Sequence, residues 1–367
     1  SPDGRKAVYV VNNLGRYKVM LADLEKNRIR CLLRGGYRSY ARETDVSFPT
    51  LAWHPTGQLV GIIRERKGFL WLGTYTLDSK EFREGKLFNF EKVLDFSYSD
   101  DGQTIVVSGV QKGQSDIYVY NLRTRTYDQI TKDIFDDLQP RFIRNSTGIV
   151  FSSNRTNDTL GLDFKEALPS ADDFDIFYHD YAGRSSVLKR ITNTPGVREW
   201  QPIPYDSLNI SYLSDANGIS NRYAAGIDSV LSSVDTVEHY RMIVNSYPQS
   251  DRARGIQWQD INARKNWVGE MVYSGGRMQL MVRRKSPVAT DRPLPLPVMY
   301  RTEVKTSEGG QSTPIAVAPT YEWDAPAVTD TNGLYNYSFQ SDFPELPQPA
   351  PELPTTVSSG VDFGVTQ

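Results

Sequence analysis

A short polar turn recurs along this chain, roughly every 45 residues. Its first copy is Ser1-Pro2-Asp3-Gly4, where proline presets φ and glycine tolerates the positive φ that closes such turns. A β-rich run, Lys6–Val11, follows it. Altered copies occupy His54–Gly57, Ser99–Gly102, Asn145–Gly148 and Tyr205–Leu208. Each turn is therefore predicted to connect two antiparallel strands. The strand expected before Ser1 either belongs to a longer chain of which this is a piece, or is supplied by another segment.

The residues between the turns repeat as well. An apolar strand follows each turn, then a polar turn and a second strand, and the unit ends in an exit that contains threonine, as at Ile130-Thr131 and Ile191-Thr192. The predicted strands are Leu59–Ile63, Phe69–Tyr75, Thr104–Ser108, Asp116–Tyr120, Ile149–Ser153, Asp175–His179 and Asn209–Leu213. Ser229–Ile243 is ambiguous between helix and strand, and a weaker sixth unit spans Ile256–Arg283. This order and period are typical of the four-stranded blades of a β-propeller.

Several strands of these units are continuous apolar runs, such as Ile149-Val150-Phe151, instead of alternating patterns. Such runs indicate strands that lose water on both faces. A blade packed between two neighbours has this property, and a single blade could not bury both faces alone. The pattern predicts an all-β, six-bladed propeller over residues 1–285 whose first blade is incomplete.

Several motifs resemble those of TolB-like six-bladed propellers, a group with WD40-like repeats. The matching parts are Ser1–Gly4, Gln139-Pro140-Arg141-Phe142, Ser153-Asn154-Arg155 and Ile191-Thr192 with Pro195-Gly196. The resemblance implies the fold. For function it implies three alternatives: a platform that binds partner proteins, the substrate-gating propeller of a larger prolyl oligopeptidase-like hydrolase, or a module of a large surface protein.

The composition changes near Ser286. Residues 286–367 contain 12 of the 21 prolines and carry 3 Lys/Arg against 10 Asp/Glu. Proline removes backbone donors and favours extended geometry, so this segment is predicted to be an extended tail, either a linker or a strap that docks on the propeller or on a partner. Five aromatic residues in it are candidate partner-binding anchors: Tyr321, Trp323, Tyr335, Tyr337 and Phe339.

Motifs for catalysis do not occur in the sequence. There is no G-x-S-x-G nucleophile elbow, H-E-x-x-H or cysteine pair, so neither catalytic nor cofactor-binding residues are predicted. The predicted places of His54 and His179 are at the surface or at a sheet edge. Asp172-Asp173-Phe174-Asp175 is a candidate calcium site, with a solvated acidic turn as the alternative. The basic runs Arg64–Lys67 and Arg283–Lys285 are interpreted as solvated charges, and a net charge of -2 argues against a nucleic-acid partner.

The sequence gives weak indications of location. No apolar run is long enough for a membrane helix, and the single Cys31 leaves the compartment open. Four Asp-Ser/Thr-apolar tripeptides resemble acceptors of O-glycosylation in Bacteroidota: Asp158–Leu160, Asp206–Leu208, Asp228–Val230 and Asp235–Val237. They suggest the periplasm or the outer membrane.

Three functions are compatible with these observations. The first is a non-catalytic scaffold of the bacterial envelope that binds a partner protein or peptide through the propeller face, with the tail as strap or linker. The second is the propeller of a larger hydrolase whose catalytic domain lies outside this chain. The third is binding of a glycan or small ligand in the central funnel. The repeat, together with the lack of a catalytic motif, favours the scaffold.

Overall fold

The computed structural model describes residues 1–37, 47–160, 172–234 and 238–295 of the chain. Within these ranges it contains 22 β-strands and no helix, so the all-β prediction is confirmed. No helix among the described residues could span a membrane.

The strands form six antiparallel sheets, each a meander in which consecutive strands pair. We call these sheets blades 1 to 6 in chain order. Blade 1 contains β1 (Lys6–Asn13), β2 (Arg16–Asp23) and β3 (Arg28–Gly35). Blade 2 contains β4 (Thr50–Trp53), β5 (Leu59–Arg66), β6 (Phe69–Thr76) and β7 (Phe82–Lys86). Blade 3 contains β8 (Lys92–Tyr98), β9 (Thr104–Gln111), β10 (Gln114–Asn121) and β11 (Tyr127–Gln129).

The second half of the chain continues the pattern. Blade 4 contains β12 (Asp137–Ile143), β13 (Gly148–Ser153), β14 (Asp175–Asp180) and β15 (Lys189–Arg190). Blade 5 contains β16 (Glu199–Pro204), β17 (Asn209–Ser214), β18 (Asn221–Val234) and β19 (Glu238–Pro248). Blade 6 contains β20 (Ile256–Asn262), β21 (Trp267–Ser274) and β22 (Arg277–Arg284). The first strands of consecutive blades, from β4 to β20, contact one another. The architecture is the predicted six-bladed propeller, with four strands in blades 2 to 5 and three described strands in blades 1 and 6.

Hydrophobic cores join neighbouring blades. The core between blades 3 and 4 contains Val106, Ile149 and Phe177, all without exposed surface. Equivalent cores join blades 1 and 2, 2 and 3, 4 and 5, and 5 and 6. The continuous apolar runs of the sequence therefore have the predicted cause, since both faces of these strands are covered by adjacent blades.

Three of the five predicted turns have the expected hydrogen bond. The fourth residue donates its N–H to the carbonyl of the first in Ser1–Gly4, His54–Gly57 and Ser99–Gly102, each at 2.9 Å. Gly102 has a φ of 70°, and a Cβ there would lie 2.2 Å from the His54 ring of blade 2. Glycine is thus required at this position both for its backbone conformation and for the close approach of the neighbouring blade.

The other two turns differ from the prediction. In blade 4 the turn bond runs from Thr147 N to Arg144 O, one residue earlier than expected. In blade 5 the Asp206 side chain accepts hydrogen bonds from the N–H groups of Leu208 and Asn209, at 2.9 and 2.8 Å. An aspartate side chain replaces the backbone carbonyl at this turn because it can reach the N–H groups two and three residues on.

The described residues of the ambiguous stretch Ser229–Ile243, 229–234 and 238–243, belong to strands. They are part of β18 and β19, whose ladder runs from Tyr223 and Pro248 to Val234 and Glu238. β17 pairs β18 only as far as Gly226. The hairpin therefore extends beyond the rest of blade 5 as a two-stranded ribbon.

Blades 1 and 6 meet through the N-terminal turn. Asn262 Nδ2 donates a hydrogen bond of 2.6 Å to Ser1 O, and Gly4 packs against Trp267 of β21. β1 follows the Ser1–Gly4 turn in the way that β5 follows His54–Gly57, so it corresponds to the second strand of a complete blade.

Candidate functional site

Charged and hydroxyl side chains gather at one end of the ring. In a four-stranded meander, the turn between the second and third strands and the exit of the fourth strand lie at the same end. We call this the exit end. Three parts of the recurring sequence motif lie at the exit end. In blade 4 they are Asp175 at the start of the third strand, Thr192 at the exit and Arg155 after the second strand.

The third strand is fixed to the blade exit by a hydrogen bond to the exit hydroxyl. In blade 3, Thr131 Oγ1 accepts from Ile117 N at 2.9 Å and lies 3.4 Å from Asp116 Oδ1. In blade 4, Thr192 Oγ1 accepts from Ile176 N at 2.8 Å and lies 3.4 Å from Asp175 Oδ1. The threonine exit of the sequence motif thus has a structural role in both blades.

Blade 5 contains the same arrangement with different residues. Ser250 Oγ accepts from Arg222 N at 2.8 Å and donates to Asn221 Oδ1 at 3.0 Å. Asn221 and Ser250 replace the aspartate and the threonine of the other two blades, and the hydroxyl still accepts the N–H at the start of the third strand. Blade 5 lacks the Ile-Thr exit of the internal repeat, so the sequence pattern does not reveal this third copy.

Arg155 is the centre of a buried cluster between blades 3 and 4. Its Nη2 lies 2.8 Å from Asp137 Oδ2 and 3.2 Å from Asp133 Oδ2, and the Arg155 and Asp137 side chains have no exposed surface. Carboxylate oxygens of Asp116, Asp133 and Asp137 lie within 4.8 Å of one another. Burial, with the charges of Asp137 and Asp133, raises the pKa of Asp116 to about 7. The arginine forms ion pairs with the other two carboxylates.

Glu199 begins the first strand of blade 5 and faces the blade 4 exit. It is 3% exposed, and its Oε2 makes no hydrogen bond. Burial, with a further contribution from the charge of Asp175, raises the pKa of Glu199 to about 8. Its backbone carbonyl accepts a hydrogen bond of 2.5 Å from Ser152 Oγ of blade 4. The Glu199 carboxyl therefore lies in the junction between blades 4 and 5.

The acidic run predicted as a calcium site lies at the start of the third strand of blade 4. Asp175 accepts from Arg190 Nη1 at 2.9 Å and from Thr194 N at 3.2 Å, so its carboxylate already has protein donors. Asp172 and Asp173 also have partners. Calcium binding at this run stays a prediction.

Two predictions about single residues need correction. His179 was expected at the surface or at a sheet edge, but it is 4% exposed because blade 4 packs against its neighbours on both faces. Burial lowers the pKa of His179. Arg64 was interpreted as a solvated charge, but its Nη2 lies 2.7 Å from Glu84 Oε2, and the two side chains are only 12% and 14% exposed.

The run Arg283–Lys285 is likewise not simply solvated. Arg283 Nη2 lies 2.7 Å from the buried Glu270 Oε1. The Arg284 guanidinium lies 4.2 Å from the centroid of the Trp267 ring, and Lys285 Nζ donates to Tyr205 O at 2.6 Å. The first two contacts lie within blade 6, and the Lys285–Tyr205 bond ties the end of blade 6 to blade 5.

An exposed group of aromatic and basic residues lies on blade 2, at the exit end of β5 and β6. Phe69 is 53% exposed, and Lys86 Nζ lies 3.9 Å from the centroid of its ring. Arg66 and Lys86 each lie 5.8 Å from the Trp71 ring. We call Arg66, Phe69, Trp71 and Lys86 the blade 2 patch. No local sequence pattern indicates this patch, because cross-strand pairing brings its residues together from three strands.

The predicted partner anchors in the tail lie outside the described residues: Tyr321, Trp323, Tyr335, Tyr337 and Phe339. Their role, like the boundary between propeller and tail at residue 285, stays a prediction.

Comparisons with known proteins agree with this architecture. No family model matches the chain, and no curated protein matches it in sequence. Its structure is similar to TolB from Acinetobacter baumannii, with a TM-score of 0.53 and 14% identity over 77% of this chain and 62% of that one. A protein assigned as TolB from Agrobacterium tumefaciens gives a TM-score of 0.54 and 15% identity over 74% of this chain and 86% of that one.

Dipeptidyl peptidase 4 from Porphyromonas gingivalis matches more weakly, with a TM-score of 0.40 and 12% identity over 77% of this chain and 43% of that one. The chain spans less than two thirds of the length of the Acinetobacter protein.

These similarities define the class of fold. The chain has a six-bladed β-propeller fold like that of the TolB structures, as its motifs predicted. At this level of identity the likeness concerns the fold, and function depends on the site.

Proposed function

We propose that this chain is a non-catalytic scaffold of the bacterial envelope that binds a partner protein through the exit end of the propeller. The blade 2 patch is the observation that carries this proposal. Aromatic and arginine side chains dominate the energetics of protein interfaces, and here Arg66, Phe69 and Trp71 lie together at the surface. Similarity to TolB structures supports the choice of a partner-binding propeller over an isolated enzyme.

The buried charges support the same proposal. Arg155, Asp137 and Glu199 lie at junctions between blades and have structural partners there. A reactive centre needs a nucleophile or a general base with access to substrate. Among the described residues, the perturbed carboxyl groups of Asp137 and Glu199 are instead buried where blades meet, and that of Asp137 is paired with Arg155.

The periplasm or the outer-membrane surface is the proposed location. The TolB-like fold and the four Asp-Ser/Thr-apolar tripeptides support it. The tail from residue 286 would then be a strap or a linker to the rest of the assembly.

A site-specific photo-crosslinker at Phe69 tests the proposal on the chain expressed in the envelope of its own host. We expect one crosslinked partner protein, identified by mass spectrometry. For the variant test, the crosslinker is moved to a neighbouring position and Phe69 is replaced by serine. Phe69→Ser should reduce the yield of the crosslinked partner at least tenfold, consistent with a hot-spot loss of about 2 kcal/mol in binding free energy. Ile29→Ser, which removes an equally exposed apolar side chain from blade 1, is the matched control and should leave the yield unchanged. Equal yields for both variants, or no partner at all, would contradict the scaffold.

The hydrolase alternative makes a different prediction. If the chain is the propeller of a prolyl oligopeptidase-like enzyme, the protein that contains it should be labelled by a fluorophosphonate at an activated serine. Labelling in the natural host that disappears when the gene is deleted would support the hydrolase and overturn the non-catalytic proposal.

A further inference from the structure

A basic cavity of about 300 Å³ lies between blades 5 and 6. Five arginines line it, together with the single carboxylate of Asp251: Arg222, Arg252, Arg283, Arg284 and Arg292. Among the described residues, Glu270 also pairs with this group, and the five arginines with these two carboxylates carry a net charge of plus three. Uncompensated positive charge in a concave, partly buried site attracts anions.

Glu270 orients three of these arginines. Its side chain has no exposed surface, and its Oε1 lies 2.8 Å from Arg222 Nη2 and 2.7 Å from Arg283 Nη2. Its Oε2 lies 2.5 Å from Arg252 Nη2. One carboxylate therefore holds three guanidinium groups together but neutralises only one positive charge. The arginines are positioned around the cavity before any ligand binds.

Arg222 is the least satisfied of the three. Its side chain is only 3% exposed, and its Nε donates to Gln259 Oε1 at 2.8 Å. Its Nη2 contacts Glu270 but makes no hydrogen bond. Burial, with the nearby charge of Arg283, lowers the pKa of Arg222 to about 10, so the group remains charged at neutral pH. A buried guanidinium that lines a cavity and has an Nη2 without good hydrogen-bond geometry is a suitable place for an oxyanion.

The segment after β22 closes one side of the cavity. Gln249 Nε2 donates to Ala289 O at 3.0 Å, and Ala289 N donates back to Gln249 Oε1 at 3.0 Å. Tyr205 Oη donates to Ser286 O. These bonds hold residues 286–289 against blade 5, where they form part of the cavity wall. The arginines therefore face an enclosed cavity and not an open basic surface.

We propose that this cavity binds the phosphate group of a small anion, with Arg222, Arg252 and Arg283 as the donors. The guanidinium fork matches phosphate oxygens in bidentate geometry, and a dianion offsets most of the net charge. The volume leaves room for a small organic group beyond the phosphate. This site is independent of the proposed partner interface on blade 2.

Calorimetric titration of the full chain with inorganic phosphate and with glycerol 3-phosphate, at constant ionic strength set with KCl, tests the proposal. We expect saturable binding at one site that weakens as KCl is raised. Tighter binding of glycerol 3-phosphate would assign an organic phosphate, and equal binding would assign free phosphate. No saturable binding of either probe up to the tens-of-millimolar range would overturn the proposal.

Variants locate the binding. Arg283→Gln and Arg252→Gln are partly exposed and should still fold, while phosphate affinity falls about 10- to 100-fold, the range for a lost hydrogen bond to a charged group. Arg254→Gln is the matched control, since Arg254 bonds Ser274 outside this cavity and its loss should not alter binding. Unchanged affinity in both cavity variants would overturn the assignment. Thermal unfolding of each variant confirms that its fold is intact.

Discussion

Blades 3 to 5 and blades 1 and 6 have the same meander but differ in how much of their surface is buried. Val107 of blade 3 and Ile149 of blade 4 have no exposed surface, whereas Ile29 of blade 1 is 61% exposed and Met278 of blade 6 is 44% exposed. The ion pairs differ in the same way. Arg155 and Asp137 are fully buried, while Arg5 and Glu25 are 63% and 59% exposed.

This difference shows that a repeat does not fix the contribution of each copy to stability. A blade inside the described ring is covered by two neighbours, and its charged residues are desolvated and paired. Blades 1 and 6 have three described strands each and meet through polar turn contacts such as Asn262–Ser1. Stability in a repeat protein depends on such neighbour interfaces, so blades 3 to 5 should carry most of it.

Removing the arginine between blades 3 and 4 should have the largest effect. Arg155→Ala leaves buried carboxylates without their cation, and we expect a loss of about 3–5 kcal/mol in the free energy of unfolding. Urea denaturation followed by tryptophan fluorescence measures it. Arg5→Ala, in the exposed pair of blade 1, should cost no more than about 1 kcal/mol. Similar losses for the two variants would contradict the comparison.

Truncating one isoleucine in each region should give the next contrast. Ile149→Ala creates a cavity in the core between blades 3 and 4 and should cost about 2–5 kcal/mol. Ile29→Ala removes a mostly exposed side chain from β3 and should stay within about 0.5 kcal/mol of the unchanged chain. Chemical denaturation of both variants compares them directly. A large loss for Ile29→Ala would show that blade 1 contributes as much as blade 4.

The exit hydroxyl of blade 4 should have a smaller effect. Thr192→Val keeps the shape but removes the oxygen that accepts from Ile176 N, leaving a buried N–H unpaired at a cost of about 1–3 kcal/mol. Thr126→Val, at an exposed turn where the hydroxyl contacts only Thr124 Oγ1, is the control and should be close to neutral. Equal stability of the two variants would show that the hydrogen bond between Ile176 N and Thr192 Oγ1 does not stabilise the blade.

The last expected effect depends on pH. The pKa of Glu199 is raised to about 8 from an ordinary value of 4.5, so the folded state keeps a proton that the unfolded state releases. Glu199 therefore reduces stability as pH rises from about 4.5 to about 8. Glu199→Gln cannot titrate and should gain a few kcal/mol at pH 8 relative to pH 5, compared with the unchanged chain, at about 1.4 kcal/mol for each pH unit between the two pKa values.

Unfolding free energies of both proteins at the two pH values measure this gain. Glu65→Gln, at the surface of blade 2, controls for a general charge effect. A Glu199→Gln variant with the pH dependence of the unchanged chain would show that this carboxyl is not the titrating group.

Local features of the sequence were sufficient for the blade pattern. Ser99–Gly102 formed its predicted turn because the bond lies within four residues. The turn at Tyr205–Leu208 did not follow the same rule, because the side chain of Asp206 competes with the backbone carbonyl. The blade 2 patch was not predictable, since pairing between strands decides which side chains become neighbours.

The sequence by itself determined the strands, most of their turns and the need for both sheet faces to be covered, because these depend on neighbouring residues and on apolar patterning. Only the tertiary structure decided which charges meet. Arg141 of blade 4 pairs with Asp95 of blade 3, 46 residues earlier, and three arginines from two blades converge on Glu270. Such pairs form when the blades pack side by side, and electrostatic interactions over these separations in sequence leave no local pattern in the chain.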